Sequence, residues 1–454
     1  MKIRATLAIA ACRLTRAALR LLGRGGTDFP GRVALRLCPS LLGVLARDVS
    51  VLIVTGTNGK TTSARMLSQC LENAGYSYFS NKSGANLLSG ITAEFAMQAS
   101  LTGRPRHKWA LIECDEAAWK TVSRYVDAKL VLVTNIFRDQ LDRYGEVTHT
   151  LNNIRAGLDN SPNASLCLNA DCSLSVSLSE GRDVCYYGVE TPIYKERVAE
   201  VSDAPYCIRC KGEYVYDYVT YGHLGGFRCP QCGYARPEPQ VAVLEIVSAT
   251  ADDQVIRVRT PEKELEARIN LPGGYNVYNA AGVLAAAGAL GIDADAAAAA
   301  LGSFSCGFGR MEKFEIAGTV LRMILVKNPA GCNQVLNFLT GTDVPAVFAV
   351  CLNDRAADGT DISWIWDVDF EKLLQMGDRL QRVCVSGIRA DDMALRLKYA
   401  GIPPEKLAVI QDYGALAEAL LGTEAPVYIM PTYTAMLDLR DKISKTYGFK
   451  NFWE

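Results

Sequence analysis

The sequence predicts an α/β protein built around a parallel sheet, and three observations support this class. Predicted strands and helices alternate through the first third of the chain, at residues 51–55, 61–74, 109–113 and 130–134. This order is typical of parallel strands joined by helices that cover the faces of a sheet. The first strand enters a glycine loop directly, and the alternation begins again after residue 312. We therefore expect two α/β units in this chain of 454 residues.

Composition and charge narrow the class of protein. The chain is 49% hydrophobic, and its formal net charge is -1. A chain so close to neutral has no global attraction to nucleic acid. Its fifteen cysteines occur mostly singly in apolar segments, as at Cys70, Cys351 and Cys384, which indicates a reducing compartment rather than a disulfide framework. We expect a cytoplasmic globular protein without a nucleic-acid partner.

Residues 1–47 form the first predicted unit, a basic amphipathic helical segment. Arg13, Arg16 and Arg20 recur at helical spacing among leucines, and no acidic residue precedes Asp28. The apolar stretch at the start resembles a signal peptide, but it is short and soon interrupted by charge. Two interpretations stay open: a helix packed on its own domain, or peripheral contact with an anionic membrane. The second would put the chain at the inner face of the cell membrane.

The loop after the first strand has the chemistry of a phosphate-binding site. It reads Thr55-Gly-Thr-Asn-Gly-Lys-Thr-Thr62. Gly56 and Gly59 let the backbone turn its N–H groups towards phosphates, Lys60 can reach the β and γ oxygens, and the Thr61 hydroxyl can ligate Mg²⁺. The helix that follows adds the positive end of its dipole. Valine stands where a strict Walker A motif needs its first glycine, so the assignment depends on the strand–loop–helix context, and an ordinary glycine turn is the alternative.

Polar residues also follow the next two predicted strands. Glu113 ends one strand and Asn135 follows another. Ligands gather at the carboxyl ends of parallel strands, so both side chains are expected beside the phosphate loop. Glu113 is a candidate ligand of Mg²⁺, directly or through water, with a solvated acidic turn as the alternative. Four charged residues between positions 138 and 143 either order this site or begin a solvated helix.

A segment of about residues 203–239 reads as an inserted zinc ribbon. It contains two Cys-x-x-Cys pairs, Cys207 with Cys210 and Cys229 with Cys232, separated by eighteen residues. Each pair can place two thiolates on one tetrahedral ion. Four thiolates leave no open position for substrate, so we predict structural Zn²⁺. A nucleic-acid finger is the alternative, although few basic residues lie between the pairs.

The order of these motifs from residue 51 onward resembles the Mur ligase family. Its later elements are similar to Tyr275-Asn-Val-Tyr-Asn279, near the adenine, and to the hinge motif Gly309-Arg-Met-Glu312. The resemblance implies a Mur ligase-type central P-loop ATPase domain at 48–312, which contains the ribbon, and a C-terminal α/β Rossmann-like domain at 313–454. It implies ATP and Mg²⁺ as cofactors beside structural Zn²⁺. The ATP-binding residues that it implies are Gly56, Thr57, Asn58, Gly59, Lys60, Thr61, Thr62, Asn276, Asn279 and Arg310, and the Mg²⁺ ligands are Thr61 and Glu113.

Three departures from the family point to one of its branches. About fifty residues precede the loop, where ordinary Mur ligases carry a whole domain for the UDP-sugar. Gln140 stands where histidine is frequent, and Lys327-Asn-Pro329 replaces a His-Asn-Pro motif. With the cysteine insert and the segment at 353–367, these features resemble the synthetase subunits of lipid II isoglutaminyl synthase. That branch implies ATP-dependent amidation of the D-glutamate α-carboxylate of lipid II through an acyl phosphate.

Two other functions stay open from the sequence. A stand-alone ligase that adds an amino acid, as Mur and folylpolyglutamate ligases do, would need no partner. A nucleic-acid-binding NTPase with a zinc ribbon would bind DNA or RNA with steep salt dependence. Whether Lys327 contacts substrate is also left open.

The branch implies a second subunit. A glutaminase needs a cysteine activated by histidine, and none of the three histidines lies in a recognisable motif. The resemblance therefore implies a GatD-like glutamine amidotransferase subunit in a heterodimer. An aspartate of the Asp-Gly-x-Asp segment completes that partner's Cys-His pair: Asp361 by motif, with Asp358 and Asp354 as weaker candidates. We expect a buried acid beside Trp364 and Trp366, and a turn that caps the next helix is the alternative.

Overall fold

The computed structural model describes residues 2–22, 27–81, 85–138, 147–193, 202–304, 310–341 and 343–449, without the side chains of residues 2 and 310. The charged residues Asp139, Asp142 and Arg143 and the uncharged Gln140 lie outside the described residues, and so does the side chain of Arg310.

Three helices at the start of the chain pack against one another and against a later helix. They are α1 (Lys2–Leu21), α2 (Phe29–Leu37) and α3 (Leu41–Ala46). Helix α1 packs on α2 and on α5 (Leu88–Met97). The Arg13 guanidinium donates to the carbonyl oxygen of Ala96 at the end of α5, 3.2 Å away. The segment thus packs on its own domain, as the first interpretation expected. Among the described residues, no helix has the length and apolarity that crossing a membrane requires.

The first sheet has nine strands within the described residues, and its order is β11-β10-β9-β6-β5-β4-β1-β3-β2. Its strands are β1 (Ser50–Thr55), β2 (Tyr78–Ser80), β3 (Trp109–Glu113), β4 (Ala128–Val133), β5 (Ser165–Asn169), β6 (Val184–Val189), β9 (Val241–Ala249), β10 (Gln254–Arg259) and β11 (Glu264–Ile269). Within this sheet, β9, β6, β5, β4, β1, β3 and β2 are parallel neighbours in that order. Strand β10 is antiparallel to both of its neighbours. Strand β1 lies between β4 and β3, so the loop after it has a strand end on either side.

Seven described helices accompany this sheet, and one of them packs on the helix that follows the glycine loop. They are α4 (Lys60–Asn73), α5, α6 (Glu116–Val122), α7 (Val147–Asp159), α8 (Ser173–Val176), α9 (Gly274–Ala289) and α10 (Ala294–Ser303). Helix α9 packs on α4, β5 and β6, and nearly all of its side chains are buried. Its many alanines and glycines allow this close approach to the sheet, because a small side chain lets two backbones come near each other.

The second sheet has six strands in the described part of the chain, in the order β12-β13-β17-β14-β15-β16. Its strands are β12 (Arg310–Ile316), β13 (Thr319–Ile324), β14 (Ala346–Cys351), β15 (Leu380–Ser386), β16 (Leu407–Val409) and β17 (Val427–Pro431). Its helices are α11 (Pro329–Thr340), α12 (Ala390–Tyr399), α13 (Tyr413–Ala419) and α14 (Tyr433–Tyr447), with 3-10 turns at Ser363–Asp367, Phe370–Arg379 and Pro404–Lys406. Within the described residues of this sheet, β12 and β13 pair antiparallel and the other neighbouring strands pair in parallel.

The α/β class is confirmed, with one difference in the first sheet. The predicted strand at 109–113 has the observed bounds, and the predicted strand at 130–134 begins and ends earlier, at Ala128–Val133. The strands after residue 241 extend the same sheet: β9 pairs in parallel with β6, and β10 and β11 follow as antiparallel strands. Most buried apolar side chains between residues 5 and 304 form one core, those around the cysteine pairs form a small separate one, and those between 314 and 443 form two others. This separation supports the boundary near residue 312, which stays a proposal, as does a separate segment at 1–47.

Candidate functional site

The loop between β1 and α4 is shaped by two glycines. Gly56 has φ +117° and Gly59 has φ +84°, values that side chains with a Cβ rarely adopt. A Cβ on Gly56 would collide with the Thr134 hydroxyl, and a Cβ on Gly59 would collide with the Asn279 amide. Both positions therefore require glycine for conformation and for space. The loop ends at the first turn of α4, whose N–H groups point out of the helix towards an anion.

Asn135 holds the middle of this loop in place. Its side-chain oxygen accepts from the Asn58 N–H at 3.0 Å, and its side-chain amide donates to the Asn58 carbonyl at 3.0 Å. The Asn135 carbonyl also accepts from the Thr57 N–H at 2.9 Å. The Thr57 hydroxyl donates to the carbonyl of Phe137 and accepts from its N–H. The segment after β4 therefore fixes the backbone of the phosphate loop.

Lys60 lies buried at the start of α4 with its ammonium group turned back onto the loop. Its Nζ donates to the carbonyl of Gly56 at 2.5 Å, to that of Thr57 at 3.2 Å, and to Glu116 Oε1 at 2.9 Å. Both side chains of the ion pair are less than a tenth exposed. The loop thus contains the buried ammonium group of Lys60, a positive charge that can attract phosphate. The Glu116 carboxylate neutralises this charge.

Thr61 and Glu113 form a pair of oxygen donors beside the loop. The Thr61 hydroxyl donates to Glu113 Oε1 at 3.1 Å. The backbone of Glu113 is held by Asn81, which accepts from its N–H at 2.9 Å and donates to its carbonyl at 2.8 Å. A hydroxyl and a carboxylate are hard ligands that suit Mg²⁺, which usually takes its other ligands from phosphate and water. The two predicted ligands therefore fit Mg²⁺ by their chemistry and their proximity.

The two asparagines of α9 lie against the end of the loop. Asn279 accepts from the Ser63 hydroxyl at 3.3 Å and donates to Asn276 Oδ1 at 3.0 Å. Asn276 donates to the Pro272 carbonyl at 2.7 Å. Both are buried, as is Thr62. The structure thus brings the predicted residues of α4 and α9 together.

The second sheet reaches the loop through Asn328, which begins α11. Its side-chain amide donates to Asn58 Oδ1 at 3.0 Å, and its oxygen accepts from the Gly331 N–H at 2.8 Å. Arg138, on the segment that follows Asn135, forms an ion pair with Asp367 at 2.7 Å. These contacts join the two sheets across the site. Lys327 precedes Asn328 and is half-buried.

The four predicted cysteines form one cluster. Their Sγ atoms all lie within 4.8 Å of one another. Cys207 lies 3.6 Å from Cys232, and Cys210 lies 3.4 Å from Cys229. A tetrahedral ion with Zn–S bonds of about 2.3 Å places its sulfurs about 3.8 Å apart. The arrangement therefore fits Zn²⁺, and it can hold a metal as the spacing predicted.

Backbone hydrogen bonds favour the thiolate form at one position of this cluster. Burial acts to raise the pKa of the Cys207 thiol, but the N–H groups of Cys210 and Arg209 lower this pKa to about 6. The carbonyl of Cys207 accepts from the Lys211 N–H at 2.8 Å, which closes the first knuckle. A metal ion needs deprotonated sulfur, so such donors prepare a ligand.

A polar network connects this cluster to helix α9. The two strands of the insert are β7 (Val215–Tyr221) and β8 (Leu224–Arg228). Arg236, just beyond the second knuckle, donates to Asp171 Oδ1 at 2.6 Å, and Tyr278 of α9 donates to Asp171 Oδ2 at 2.6 Å. Burial raises the pKa of the Asp171 carboxyl, and Arg236 acts in the opposite direction. The insert thus contacts the helix that carries Asn276 and Asn279.

The three candidate acids of the C-terminal segment have different surroundings. Asp358 is buried and accepts from the Thr434 N–H at 2.6 Å. Asp354 pairs with Arg389 at 2.7 Å. Asp361 is partly exposed, and it accepts from the Ser363 N–H at 2.8 Å, so it caps the 3-10 turn. Within this chain Asp361 is half-buried, and its burial against a partner stays a prediction.

Sequence reasoning gave no role to Glu116 or Asn328. Glu116 was visible in the acidic run after β3, but only the fold shows that its carboxylate meets Lys60. Asn328 lies in the Lys327-Asn-Pro329 motif. Its contact with Asn58 connects residues 270 positions apart, which the sequence does not reveal.

Two family profiles match separate parts of the chain. The profile described as Mur ligase middle domain matches residues 54–208. The profile described as MurT ligase C-terminal matches residues 325–436. The matches fall on the first and second sheets respectively.

The chain is also similar to whole proteins. It is 33% identical to "Lipid II isoglutaminyl synthase (glutamine-hydrolyzing) subunit MurT" of Streptococcus pneumoniae (strain ATCC BAA-255 / R6), over 98% of both chains. Identity to the protein of the same description in Staphylococcus aureus (strain COL) is 31%, over 97% of this chain and 98% of the other. The fold is similar to a pseudomurein peptide ligase type C from Methanothermus fervidus, with a TM-score of 0.66 at 21% identity, over 88% of this chain and 79% of that one.

Replacing Glu116 tests whether Lys60 exchanges its carboxylate for phosphate. Glu116→Gln should lower the free energy of unfolding by about 1–3 kcal/mol, because a buried charge-assisted hydrogen bond is lost. Mg-ATP should then raise the melting temperature of this variant more than that of the wild type, because phosphate supplies the missing negative charge. Glu94→Gln is the matched control, since it breaks the Arg16–Glu94 pair away from the loop. Equal shifts in wild type and Glu116→Gln would contradict the exchange.

Replacing Cys207 tests the metal site. Cys207→Ser should reduce zinc content, measured by mass spectrometry of the purified chain, and should lower the melting temperature. Structural zinc contributes about 10–16 kcal/mol of apparent binding free energy in small zinc-binding peptides, so its loss affects folding. Cys185→Ser, at a half-buried cysteine outside the cluster, should keep wild-type zinc. Wild-type chain that contains no zinc after expression with zinc would refute the assignment.

Proposed function

The chain belongs to the MurT family of Mur-type carbon–nitrogen ligases, and from this premise we propose that it is the synthetase subunit of a lipid II isoglutaminyl synthase. In this proposal it uses ATP to amidate the α-carboxylate of the D-glutamate residue of lipid II, and the product is D-isoglutamine. Family membership rests on identities of 31–33% over nearly the whole chain. A Mur ligase fold implies ATP and Mg²⁺.

The chemistry explains why the reaction needs a phosphate site. A carboxylate is a poor electrophile, so one of its oxygens first takes the γ-phosphoryl group of ATP, and ADP leaves. Ammonia then attacks the carbonyl carbon of this acyl phosphate, phosphate leaves, and the nitrogen loses a proton to give the amide. Charge accumulates on the phosphoryl oxygens in the first step. Stabilising that charge is the main task of the protein.

The observation that carries the proposal is the buried cluster around Lys60. Lys60 would contact the β and γ phosphates, and Thr61 with Glu113 would hold Mg²⁺, which supplies further positive charge when bound. Asn276 and Asn279 would position the nucleotide, and we assign Arg310 to phosphate by motif alone. The remaining loop residues, Gly56, Thr57, Asn58, Gly59 and Thr62, would surround the phosphates with backbone. The contacts of Asn135 and Asn328 with Asn58 support this arrangement.

We propose that ammonia comes from a GatD-like glutaminase bound to this chain. In the described residues, a cysteine and a histidine meet at Cys172 Sγ and His223 Nε2, 3.6 Å apart, and both are fully buried. Burial acts to raise the pKa of the Cys172 thiol, but the hydrogen bond and charge of His223, together with hydrogen bonds from Ser175, lower this pKa overall. A pair without access to solvent does not present a nucleophile to glutamine. The nitrogen donor is therefore assigned to another subunit.

The surface around Asp361 is where we expect this partner. Asp358 and Asp354 are held by Thr434 and Arg389, whereas Asp361 is half-buried and accepts from the Ser363 N–H of its own turn. Trp366 on the adjoining turn is 49% exposed, and Tyr399 on α12 is 72% exposed. Their ring centroids lie 5.7 Å apart. Exposed aromatic side chains are enriched at protein interfaces. An acid beside such a patch can complete the Cys-His pair of a docked glutaminase.

Reconstitution tests the proposed reaction directly. The purified chain, a GatD-like glutaminase, detergent-solubilised lipid II, glutamine and Mg-ATP should together give the amidated lipid, detected by mass spectrometry. Omission of the glutaminase should abolish the glutamine-driven reaction, and ammonium at alkaline pH should restore part of it. Full glutamine-driven activity without the partner would refute the proposal. ATP turnover that depends on a free amino acid would identify a stand-alone ligase instead.

Asp361→Asn tests the acid at the proposed interface. Glutamine-driven amidation should fall at least about 100-fold, because the partner's histidine loses the carboxylate that orients it. Amidation driven by ammonium should stay close to that of the wild type, because the nucleotide site is untouched. Asp369→Asn is the control, at a nearby carboxylate that pairs with Lys372 at 3.5 Å. If Asp361→Asn leaves both activities unchanged, the assignment is wrong.

A further inference from the structure

The outward face of α1 is a stripe of large apolar side chains. Ile3, Leu7, Leu14 and Leu21 are 77%, 59%, 71% and 89% exposed. Their spacing places them on one side of a helix, and twenty residues extend about 30 Å. Ala17 and Ala18 are exposed on the same side. We refer to Ile3, Leu7, Leu14 and Leu21 as the α1 stripe.

The fold does not need the α1 stripe. The opposite side of α1 makes the contacts with the domain, through Ala5, Ala8, Ile9 and Cys12, which are at most 5% exposed. Arg13 turns inwards to the carbonyl oxygens at the end of α5. Large exposed apolar surfaces are rare in soluble proteins and usually mark an interaction site. The α1 stripe is therefore available for contact outside the chain.

Basic residues surround the α1 stripe. Arg4 and Arg20 are exposed beside it, and α2 adds the exposed Arg32 and Arg36. Among the first 47 residues, nine are basic and one is acidic, whereas the whole chain has a formal net charge of -1. The one acid, Asp28, is neutralised by Arg32 at 2.6 Å. An apolar face with a positive border is complementary to a bilayer whose headgroups are anionic.

We propose that the α1 stripe docks the chain onto the surface of an anionic phospholipid bilayer. Helix α1 lies parallel to the membrane, with its leucines among the acyl chains and its arginines at the phosphate groups. This inference rests on the proposed function in one respect, because a lipid-linked substrate requires the enzyme to work beside a membrane. The α1 stripe is the surface that would bring the nucleotide site to that substrate.

A second copy of the chain fits this face less well than a bilayer does. A twofold contact would place the same surface against itself. The arginines around the α1 stripe would then face arginines, and like charges at an interface are unfavourable. Anionic headgroups instead place negative charge against these arginines, which is favourable.

Flotation with lipid vesicles tests the docking surface. The full chain should bind vesicles of phosphatidylglycerol and phosphatidylethanolamine, and it should bind phosphatidylcholine vesicles weakly. Leu7→Glu/Leu14→Glu should reduce the partition coefficient on anionic vesicles at least about tenfold, because binding scales with buried apolar area. Val247→Glu/Leu374→Glu is the matched control at two exposed apolar side chains elsewhere, and it should bind like the wild type. Thermal unfolding of each variant checks that the changes leave the fold intact.

A second pair of variants isolates the charge. Arg4→Gln/Arg20→Gln should weaken binding to anionic vesicles, and added salt should then have less effect than on the wild type. Equal binding by wild type and Leu7→Glu/Leu14→Glu would overturn the proposal. So would a wild-type dimer in sedimentation that these changes dissociate, without any vesicle binding. Amidation of detergent-solubilised lipid II is measured separately, so failure of docking is distinguishable from failure of the proposed function.

Discussion

Two hydrogen bonds between the Asn135 side chain and the backbone of Asn58 hold the phosphate loop, and much of the site depends on them. One carboxamide engages both the N–H and the carbonyl of a single residue, so the loop cannot slide along β1. The side-chain oxygen of Asn58 is then placed where Asn328 reaches it from the second sheet. Helix α4 begins two residues later, and this start directs Thr61 towards Glu113 at the end of β3 and Lys60 towards Glu116 after it.

The cysteine insert supports the same site from the other side. A small segment with a core of few residues needs a further constraint to fold, and a tetrahedral metal site provides one. The insert then presents Arg236 to Asp171, whose second oxygen accepts from Tyr278. Tyr278 lies between Asn276 and Asn279 on α9, so the network fixes the rotation of that helix. The proposed structural metal would therefore affect the proposed nucleotide site by positioning its residues, although it would take no part in the chemistry.

The sequence was sufficient where chemistry is encoded in local spacing, and insufficient where it depends on distant contacts. The glycine loop and the two cysteine pairs could be predicted because a few adjacent residues determine the geometry of each. The partners Glu116 and Asn328 could not, because their contacts depend on how strands and helices pack. Helix α1 gives the clearest contrast. Its periodicity predicted an amphipathic helix, but small residues such as Ala8 fill the buried side, and the leucines face outwards. Only packing against α2 and α5 decides which side is covered.

The Lys60 ammonium is engaged within the chain, so the proposed nucleotide binding would exchange these contacts for contacts with phosphate. A phosphate that binds Lys60 must replace Glu116 and two carbonyl oxygens, and the affinity reflects the difference between these sets of contacts. A nucleotide that displaces Asn328 from Asn58 also loosens the second sheet from the loop, where the ion pair between Arg138 and Asp367 is a further connection. By linkage, a partner that shifts the second sheet away from Asn58 would then alter nucleotide affinity, and nucleotide would alter the affinity for that partner by the same factor. The surface around Asp361 belongs to this second sheet, so the proposed glutaminase and the nucleotide are expected to influence each other.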